Sequence, residues 1–327
     1  MEAIVNHRYG SPDGVRLQEV AEPPVGDDGV LVRVRAASVN PADWHLIRGE
    51  PRFSRLVFGL RRPKRVIPGM DVAGQVERVG ANVKEFRRGD EVFGGPGRTF
   101  AHFVCGTEGE FVAKPATVTF EQAAAIPVAG CTALQALRDK GRLQPGQRVL
   151  INGAAGGVGT FAVQIAKALG GDVTAVCSTR NLELARSIGA DHVVDYTVED
   201  FTRSGQRYEL IINTAGNRSI SDLRRALTPT GTLVLVGEGV GRETGGDGVV
   251  RILAAAVQYL LISRFTKQRI LMFLAKIRKE DLILLQELIE AGKVTPVIDR
   301  AYPLGETAEA LRYLEAGHAR GKVVLTV

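Results

Sequence analysis

The hydrophobic pattern of this chain changes period near Val149. Before that point apolar and polar residues alternate, as in half-buried strands. The clearest runs are Gly29-Val30-Leu31-Val32-Arg33-Val34-Arg35 and Asp71-Val72-Ala73-Gly74-Gln75-Val76-Glu77-Arg78-Val79-Gly80. Arg88-Gly89-Asp90-Glu91-Val92-Phe93 reads as a turn entering a strand, and Phe111-Val112-Ala113-Lys114 as another short strand. Glycine and proline separate these runs, which predicts a compact antiparallel, β-rich domain over the first third of the chain. Phe120 to Leu137 is alanine-rich and helical in spacing, interrupted at Pro127. After Val149 strands and helices alternate. Strands are predicted at Val149–Asn152, Val173–Cys177, His192–Asp195, Leu210–Thr214 and Thr232–Gly237, with a sixth near Ile270–Ala275. Helices are predicted at Leu182–Ile188 and Ile220–Leu227. Such alternation implies a parallel sheet covered on both faces. The helix Asp281–Glu290 and the tail Lys322–Val327 are expected to return to the first domain. The most apolar stretch, Val249–Ile262, contains Arg251 and Gln258. It is too short to span a bilayer and is expected to be a packed helix.

The change of period centres on Arg148–Gly170, RVLINGAAGGVGTFAVQIAKALG. Val149-Leu150-Ile151 is followed by Gly153, Gly156, Gly157 and Gly159, then by a helical stretch with Phe161, Ile165, Ala168 and Leu169. Strand, glycine-rich turn and helix open a dinucleotide-binding βαβ unit. Glycine permits positive φ in a tight turn and lets a pyrophosphate approach the backbone. The helix start offers N–H groups and the positive end of its dipole. Gly153, Ala154, Ala155, Gly156, Gly157 and Val158 are therefore the candidate phosphate-binding residues. Their spacing differs from the common G-x-G-x-x-G, and a glycine-rich loop without a ligand is the competing reading. The next strand should end beside the adenosine ribose. It ends Cys177-Ser178-Thr179-Arg180-Asn181, with no carboxylate to take both ribose hydroxyls. The Ser178 hydroxyl and Arg180 guanidinium suit a 2′-phosphate, so NADP(H) is expected over NAD(H). Otherwise Arg180 simply opens a helix on a solvated face.

Length and charge sharpen this reading. The chain's 327 residues exceed one typical domain, so two are expected. Hydrophobic content of 45% and charged content of 24% describe an ordinary soluble globular protein. Cys105, Cys131 and Cys177 are far apart and form no C-x-x-C. Neither a disulfide framework nor a zinc ribbon is expected, and a reducing, cytoplasmic compartment fits. The opening MEAIVNHRYG lacks the apolar core of a signal peptide, and no membrane partner is expected. The net charge is +6, and Arg48–Arg65 accounts for it with seven basic residues against Glu50 alone. Three readings compete for that stretch: a solvated basic loop, a rim attracting an anionic cofactor or substrate, and a nucleic-acid patch. The last is the weakest, because Phe53 and Phe58 are the only interleaved aromatics.

Six motifs in order carry a resemblance over nearly the whole chain. They are Ala37-Ser38-Val39-Asn40-Pro41-Ala42-Asp43, Pro68-Gly69-Met70-Asp71-Val72-Ala73-Gly74 and Arg88-Gly89-Asp90-Glu91-Val92-Phe93. They continue with Gly130-Cys131-Thr132-Ala133, Gly153-Ala154-Ala155-Gly156-Gly157-Val158-Gly159 and His318-Ala319-Arg320-Gly321-Lys322-Val323-Val324. The chain resembles the medium-chain dehydrogenase/reductase superfamily, in its zinc-free quinone-oxidoreductase, zeta-crystallin-like branch. That resemblance implies an α/β fold: a doubly wound parallel Rossmann sheet over 129–276, plus a β-rich GroES-like catalytic domain from 1–128 and 277–327. It also implies a substrate cleft between the domains and a homodimer joined through sheet edges. Zinc-dependent relatives use a Cys, a Gly-His-Glu histidine and a second Cys. The matching positions here resemble Asn40, Met70 and Val128, which cannot supply three zinc ligands, so no metal is expected. Without a Lewis acid, oxidation of a plain alcohol lacks its usual alkoxide stabilisation. Hydride donation from NADPH to a quinone or an α,β-unsaturated carbonyl compound is the chemistry expected. Such an acceptor spreads charge onto oxygen, and the protein need only align the partners, exclude water and offer a donor. An enoyl-thioester reductase and a non-catalytic NADPH-binding or RNA-binding protein are the alternatives.

The same resemblance suggests roles for individual residues. Asn40 corresponds to an asparagine beside the nicotinamide ribose, or else makes an Asx turn before Pro41. Asp43 orients nearby groups or makes a structural contact. Tyrosine, a proton donor in some relatives, is missing from Asn40–Gly49. Water or His45 is left to deliver the proton, against a plain surface or structural role for His45. Thr132 touches the cofactor or sits at a helix N-terminus. Tyr196 lies near the 2′-phosphate or is merely part-buried. Lys322 reaches an anion or begins the last strand. Trp44, Phe53, Phe58, Phe265 and Phe273 are candidate pocket linings.

Overall fold

A computed structural model of the chain describes residues 1–52, 55–237 and 266–327. The backbone divides into two units, Met1–Cys131 with Lys276–Val327, and Thr132–Ala275. The first holds a seven-stranded sheet ordered Ile298–Pro303, Lys322–Thr326, Gly29–Val39, Asp71–Val79, Glu91–Gly94, Phe111–Ala113, with Phe103–Thr107 also on Gly29–Val39. Ile298–Pro303 and Lys322–Thr326 run parallel, and the other pairs are antiparallel.

Gly29–Val39 is the spine of this unit. Val30, Val32 and Val34 enter a core with Val72, Val76, Val92, Val104 and Phe111. Ala37 and Val39 belong to a second core with Trp44, Ile47, Phe100, Val323 and Leu325. The buried set changes from even to odd positions across the register shift between Val34 and Ala36. Arg35 is the extra residue at this irregularity, and the parity of the buried positions changes across it. The expected half-buried alternation therefore holds only around Arg33 and Arg35; the two ends of the strand are buried throughout.

The second unit holds six parallel strands in the order His192–Asp195, Asp172–Cys177, Arg148–Asn152, Tyr208–Asn213, Leu227–Val236, Arg269–Phe273. Strand order reverses between Arg148–Asn152 and Tyr208–Asn213, the position where doubly wound sheets bind ligands. Arg148–Asn152 and Asp172–Cys177 are continuous apolar runs, buried from Val149 and Val173 onward. Helix Gly157–Ala168 is buried from Gly159 to Ala166. The interrupted helix expected at Phe120–Leu137 is three segments. Phe120–Ala124 is capped by Thr119, whose hydroxyl accepts the Gln122 N–H at 3.2 Å. Pro127–Leu134 begins on its proline, where a missing N–H does no harm. Gln135–Gly141 then continues as a π-helix. The fold class is the α/β one expected, a doubly wound parallel sheet plus a β-rich unit. No helix among the described residues is long and apolar enough to cross a membrane. The packed helix expected at Val249–Ile262, together with Phe53 and Phe265, lies outside the described residues.

Candidate active site

In the first unit, strand Gly29–Val39 runs directly into helix Pro41–Arg48 through Asn40. The Asn40 N–H donates to Asp43 Oδ2 at 2.8 Å. Asn40 Nδ2 donates to Asp71 Oδ2 at 2.9 Å and to the Ser38 carbonyl at 3.3 Å. Its Oδ1 accepts Lys322 Nζ at 2.6 Å. Asp71 opens the strand Asp71–Val79. It accepts the Ser38 hydroxyl on Oδ2 at 2.7 Å and the Val128 N–H on Oδ1 at 3.1 Å. Lys322 Nζ lies 3.6 Å from Asp71 Oδ2 and 3.5 Å from the Val39 carbonyl. Ser38, Asn40, Asp43, Asp71 and Lys322 thus form one cluster, and none is more than 3% exposed.

Burial without water governs the charges. It pushes the Asp43 carboxyl from 3.8 up to about 7; the Asn40 N–H opposes the rise, the Asp71 charge adds to it, and Lys322 opposes it. Burial also raises Asp71, against the Lys322 ammonium, the Asn40 amide and the Ser38 hydroxyl. It lowers Lys322, against the two carboxylates. Asp43 Oδ1 is buried with no hydrogen-bond partner among the described residues. A neutral carboxylic acid occupies such a place at far less cost than a carboxylate.

In the second unit, Gly153 follows strand Arg148–Asn152 with φ +87°. The Gly153 and Ala154 N–H groups donate to the Val176 carbonyl at 3.2 and 3.1 Å, and Gly156 N–H to the Gly153 carbonyl at 3.1 Å. The N–H groups of Ala155, Gly157 and Val158 take no part in these bonds. A Cβ on Gly153 would stand 2.4 Å from Thr214 Oγ1, and one on Gly159 would stand 2.1 Å from the Gly153 carbonyl. Internal packing demands both glycines. Gly156 is different. Its φ is −80°, and a Cβ there would meet nothing nearer than 3.4 Å. Among the described residues nothing requires glycine at 156. Gly156 also gives helix Gly157–Ala168 no side-chain cap, and the first-turn N–H groups of a helix have no partner within it.

At the far end of the neighbouring strand, the Cys177 carbonyl accepts the Tyr196 N–H at 3.1 Å. Ser178, Arg180 and Tyr196 therefore sit at the same end of paired strands, with Arg180 and Tyr196 exposed. Asp195, in register with Cys177, places a carboxylate here. It accepts the Thr179 hydroxyl at 2.5 Å and the Thr197 N–H and hydroxyl at 2.9 and 2.7 Å. The Thr179 hydroxyl, foremost among these, holds its carboxyl below the usual range. The end of this strand itself carries no carboxylate, but its parallel neighbour contributes one. Only the strand pairing reveals it.

Residues 26–136 match the family model described as alcohol dehydrogenase GroES-like domain, and 188–325 the one described as zinc-binding dehydrogenase. A chloroplast envelope quinone oxidoreductase homolog of Arabidopsis thaliana is 34% identical over 341 residues, 99% of this chain and 98% of that protein. This chain belongs to the medium-chain dehydrogenase/reductase superfamily. Mitochondrial NAD(P)H oxidoreductase RTN4IP1 of Mus musculus is 34% identical, over 100% of this chain and 89% of that protein. The solved quinone oxidoreductase of Coxiella burnetii matches with a TM-score of 0.84 at 30% identity, covering 100% of this chain and 99% of that one.

Within this medium-chain dehydrogenase/reductase, the structure brings Asn40 and Asp43 together. His45 is half-buried and stacks on Trp44 with ring centroids 3.6 Å apart. Lys322 begins the last strand, as one of its two readings expects, and its ammonium is enclosed by Asn40, Asp71 and Val39. Thr132 sits buried inside Pro127–Leu134 rather than at a helix N-terminus. Trp44 belongs to a packed core, and Phe273 lies under the Lys140 ammonium. Sequence reasoning missed Ser38 and Asp71 as site residues. The available signal was a carboxylate opening an apolar strand, Asp71-Val72-Ala73, at a position the fold buries completely.

Proposed function

We propose that this protein transfers hydride from a nicotinamide dinucleotide, NADP(H) in preference to NAD(H), to a quinone or an α,β-unsaturated carbonyl acceptor without zinc. The Asp71 cluster carries this reading. Asn40, Met70 and Val128 match the ligand positions of zinc-dependent relatives. Here Asn40 Nδ2 and the Val128 N–H both donate to Asp71, and the buried cation is the Lys322 ammonium. Zinc needs three protein donors with free lone pairs, and this donor set does not offer them. Relatives named quinone oxidoreductase homolog and NAD(P)H oxidoreductase support the acceptor and cofactor classes.

The residues present fit such a cofactor. The space a Cβ would fill at Gly156 suits a pyrophosphate, with the N–H groups of Ala155, Gly157 and Val158 and the helix dipole to hold it. Gly153 and Ala154 shape the turn. Ser178, Arg180 and Tyr196 suit a 2′-phosphate, while the Asp195 oxygens already serve Thr179 and Thr197. Asn40 corresponds to the asparagine that the resemblance places beside a nicotinamide ribose; its Oδ1 accepts Lys322 and its two amide hydrogens are engaged within the cluster. When bound, the nicotinamide supplies the hydride. Asp43 retains a proton near neutral pH and is our candidate store for the accompanying proton. Strand Arg269–Phe273 ends the described sheet and exposes Met272, an edge that supports the homodimer reading.

NADPH consumption with quinones, enones and enoyl-CoAs in the presence of a chelator tests the proposal. Turnover of a quinone or enone is expected. Turnover of enoyl thioesters alone would reassign the substrate, and tight NADPH binding with no turnover of any acceptor would favour a non-catalytic role. By fluorescence titration, Arg180→Ala should shrink the preference for NADPH over NADH by about 1–3 kcal/mol. Equal affinities in the wild type would remove the phosphate assignment.

A further inference from the structure

The basic stretch of the first unit has a second property. Leu56, Val57, Phe58 and Leu60 are 74%, 67%, 43% and 67% exposed. No other five-residue stretch of the described residues exposes as many large apolar side chains. Exposed apolar clusters of this kind mark interaction sites. Around them stand Arg52, Arg61, Arg62, Lys64 and Arg65, all exposed. Among the described residues none of these five forms an ion pair, whereas Arg48 is paired with Glu315.

The turn is held in place. The Tyr9 hydroxyl donates to the Gly59 carbonyl at 2.7 Å, and the Lys64 N–H to the Phe58 carbonyl at 2.8 Å. Arg55 turns inward, donating to the Gly49 and Arg48 carbonyls at 2.8 and 3.1 Å with its guanidinium over the Tyr9 ring. Gly59 has φ +123°, and a Cβ there would lie 2.1 Å from the Arg62 carbonyl. The backbone is fixed from behind while the apolar side chains face outward.

We infer that the turn Arg55–Arg65 is a membrane-surface anchor, which seats Leu56, Val57, Phe58 and Leu60 in the interface of an anionic lipid bilayer while Arg61, Arg62, Lys64 and Arg65 meet the headgroups. An apolar tip ringed by Lys and Arg is the composition of interfacial binding elements. A protein partner fits less well. Protein interfaces need about 800 Å² on each side and cores depleted of charge, more than one short turn presents. Nucleic acid fits less well too, because aliphatic Leu56, Val57 and Leu60 provide no stacking plane. That no described helix is long and apolar enough to cross a membrane does not bear on surface association, which runs against the expectation of no membrane partner. The inference is independent of the proposed catalytic activity.

Vesicle flotation of the full chain tests it, with phosphatidylcholine vesicles and with vesicles that also contain phosphatidylserine. The wild type should float with the phosphatidylserine vesicles and release at high salt. Each basic residue near such a surface contributes enough for roughly a fivefold effect, so Arg61→Gln with Arg62→Gln should weaken binding about 25-fold. Leu56→Ser, Val57→Ser and Leu60→Ser together should abolish flotation, with thermal midpoints unchanged for both variants. Wild type that stays in the aqueous layer with both vesicles, variants that float like wild type, or binding to RNA but not to vesicles would each overturn the inference.

Discussion

Replacing Asp43 by asparagine should change how stability depends on pH, because this buried carboxyl titrates near 7 in the fold against 3.8 ordinarily. Between those values the folded chain holds a proton that the unfolded chain has released. The group's contribution to stability is therefore complete below the unfolded value and is lost as pH rises through the folded one. At 1.36 kcal/mol per unit, the full loss is about 4 kcal/mol, of which about 2.5 kcal/mol falls between about pH 5 and about pH 8. Asparagine cannot titrate, so the variant lacks this slope, while Asp71 and Lys322 remain in both proteins. Urea unfolding across that range yields the free energy of each. The variant's stability relative to wild type should rise by about 2.5 kcal/mol from acid to alkaline conditions, with an unchanged denaturant slope. Parallel pH profiles would show that Asp43 is already ionised in the folded chain, and would remove it as a proton store.

Gly156→Ala should fold with a loss of no more than about 1 kcal/mol, yet bind NADPH at least about tenfold more weakly, since a methyl group fills the space set against the phosphates. Gly159→Ala should instead lose about 3 kcal/mol or more in urea, because its Cβ collides with the Gly153 carbonyl; equal stability of the two variants would contradict the assignment of Gly156. Lys322→Met leaves the Asp71 carboxylate buried without its cation and should cost about 3–5 kcal/mol. Adding Asp71→Asn should recover part of that loss, and strictly additive losses in the double-mutant cycle would show that the two do not act as a pair.

The parallel half of the fold was legible because its strands are continuous apolar runs separated by helical spacing, and Arg148–Asn152, Asp172–Cys177 and His192–Asp195 lie within a residue of their expected bounds. The glycine loop was legible because its chemistry is local. The Asp71 cluster was not, since its bonds join residues 31, 57 and 282 positions apart. In the linear pattern Lys322 reads as the polar start of a strand, and Asp71 as the polar end of one. Only their meeting at Asn40 makes burial of either tolerable. Asp195 escaped notice for a related reason: it reaches the end of Asp172–Cys177 through strand pairing, not through sequence adjacency. The change of parity in Gly29–Val39 lies at an irregularity that no residue type announces.

Asn40 and Lys322 are separated by 282 residues, and the uninterrupted unit Thr132–Ala275 is made between them. At about 5–20 residues per second, a ribosome takes roughly 15–60 s to cover that distance. Throughout that interval Gly29–Val39 lacks the neighbour that Lys322–Thr326 will become, and Asp71 has no ammonium. The intervening unit already has every one of its described strands. Order of emergence from the ribosome is thus reversed in order of completion: the earliest residues are left with an open β edge, while every described strand of the middle unit has its neighbours. A nascent chain stalled short of Lys322 should show this directly, with protease cutting within the first 131 residues and sparing Thr132–Gly237.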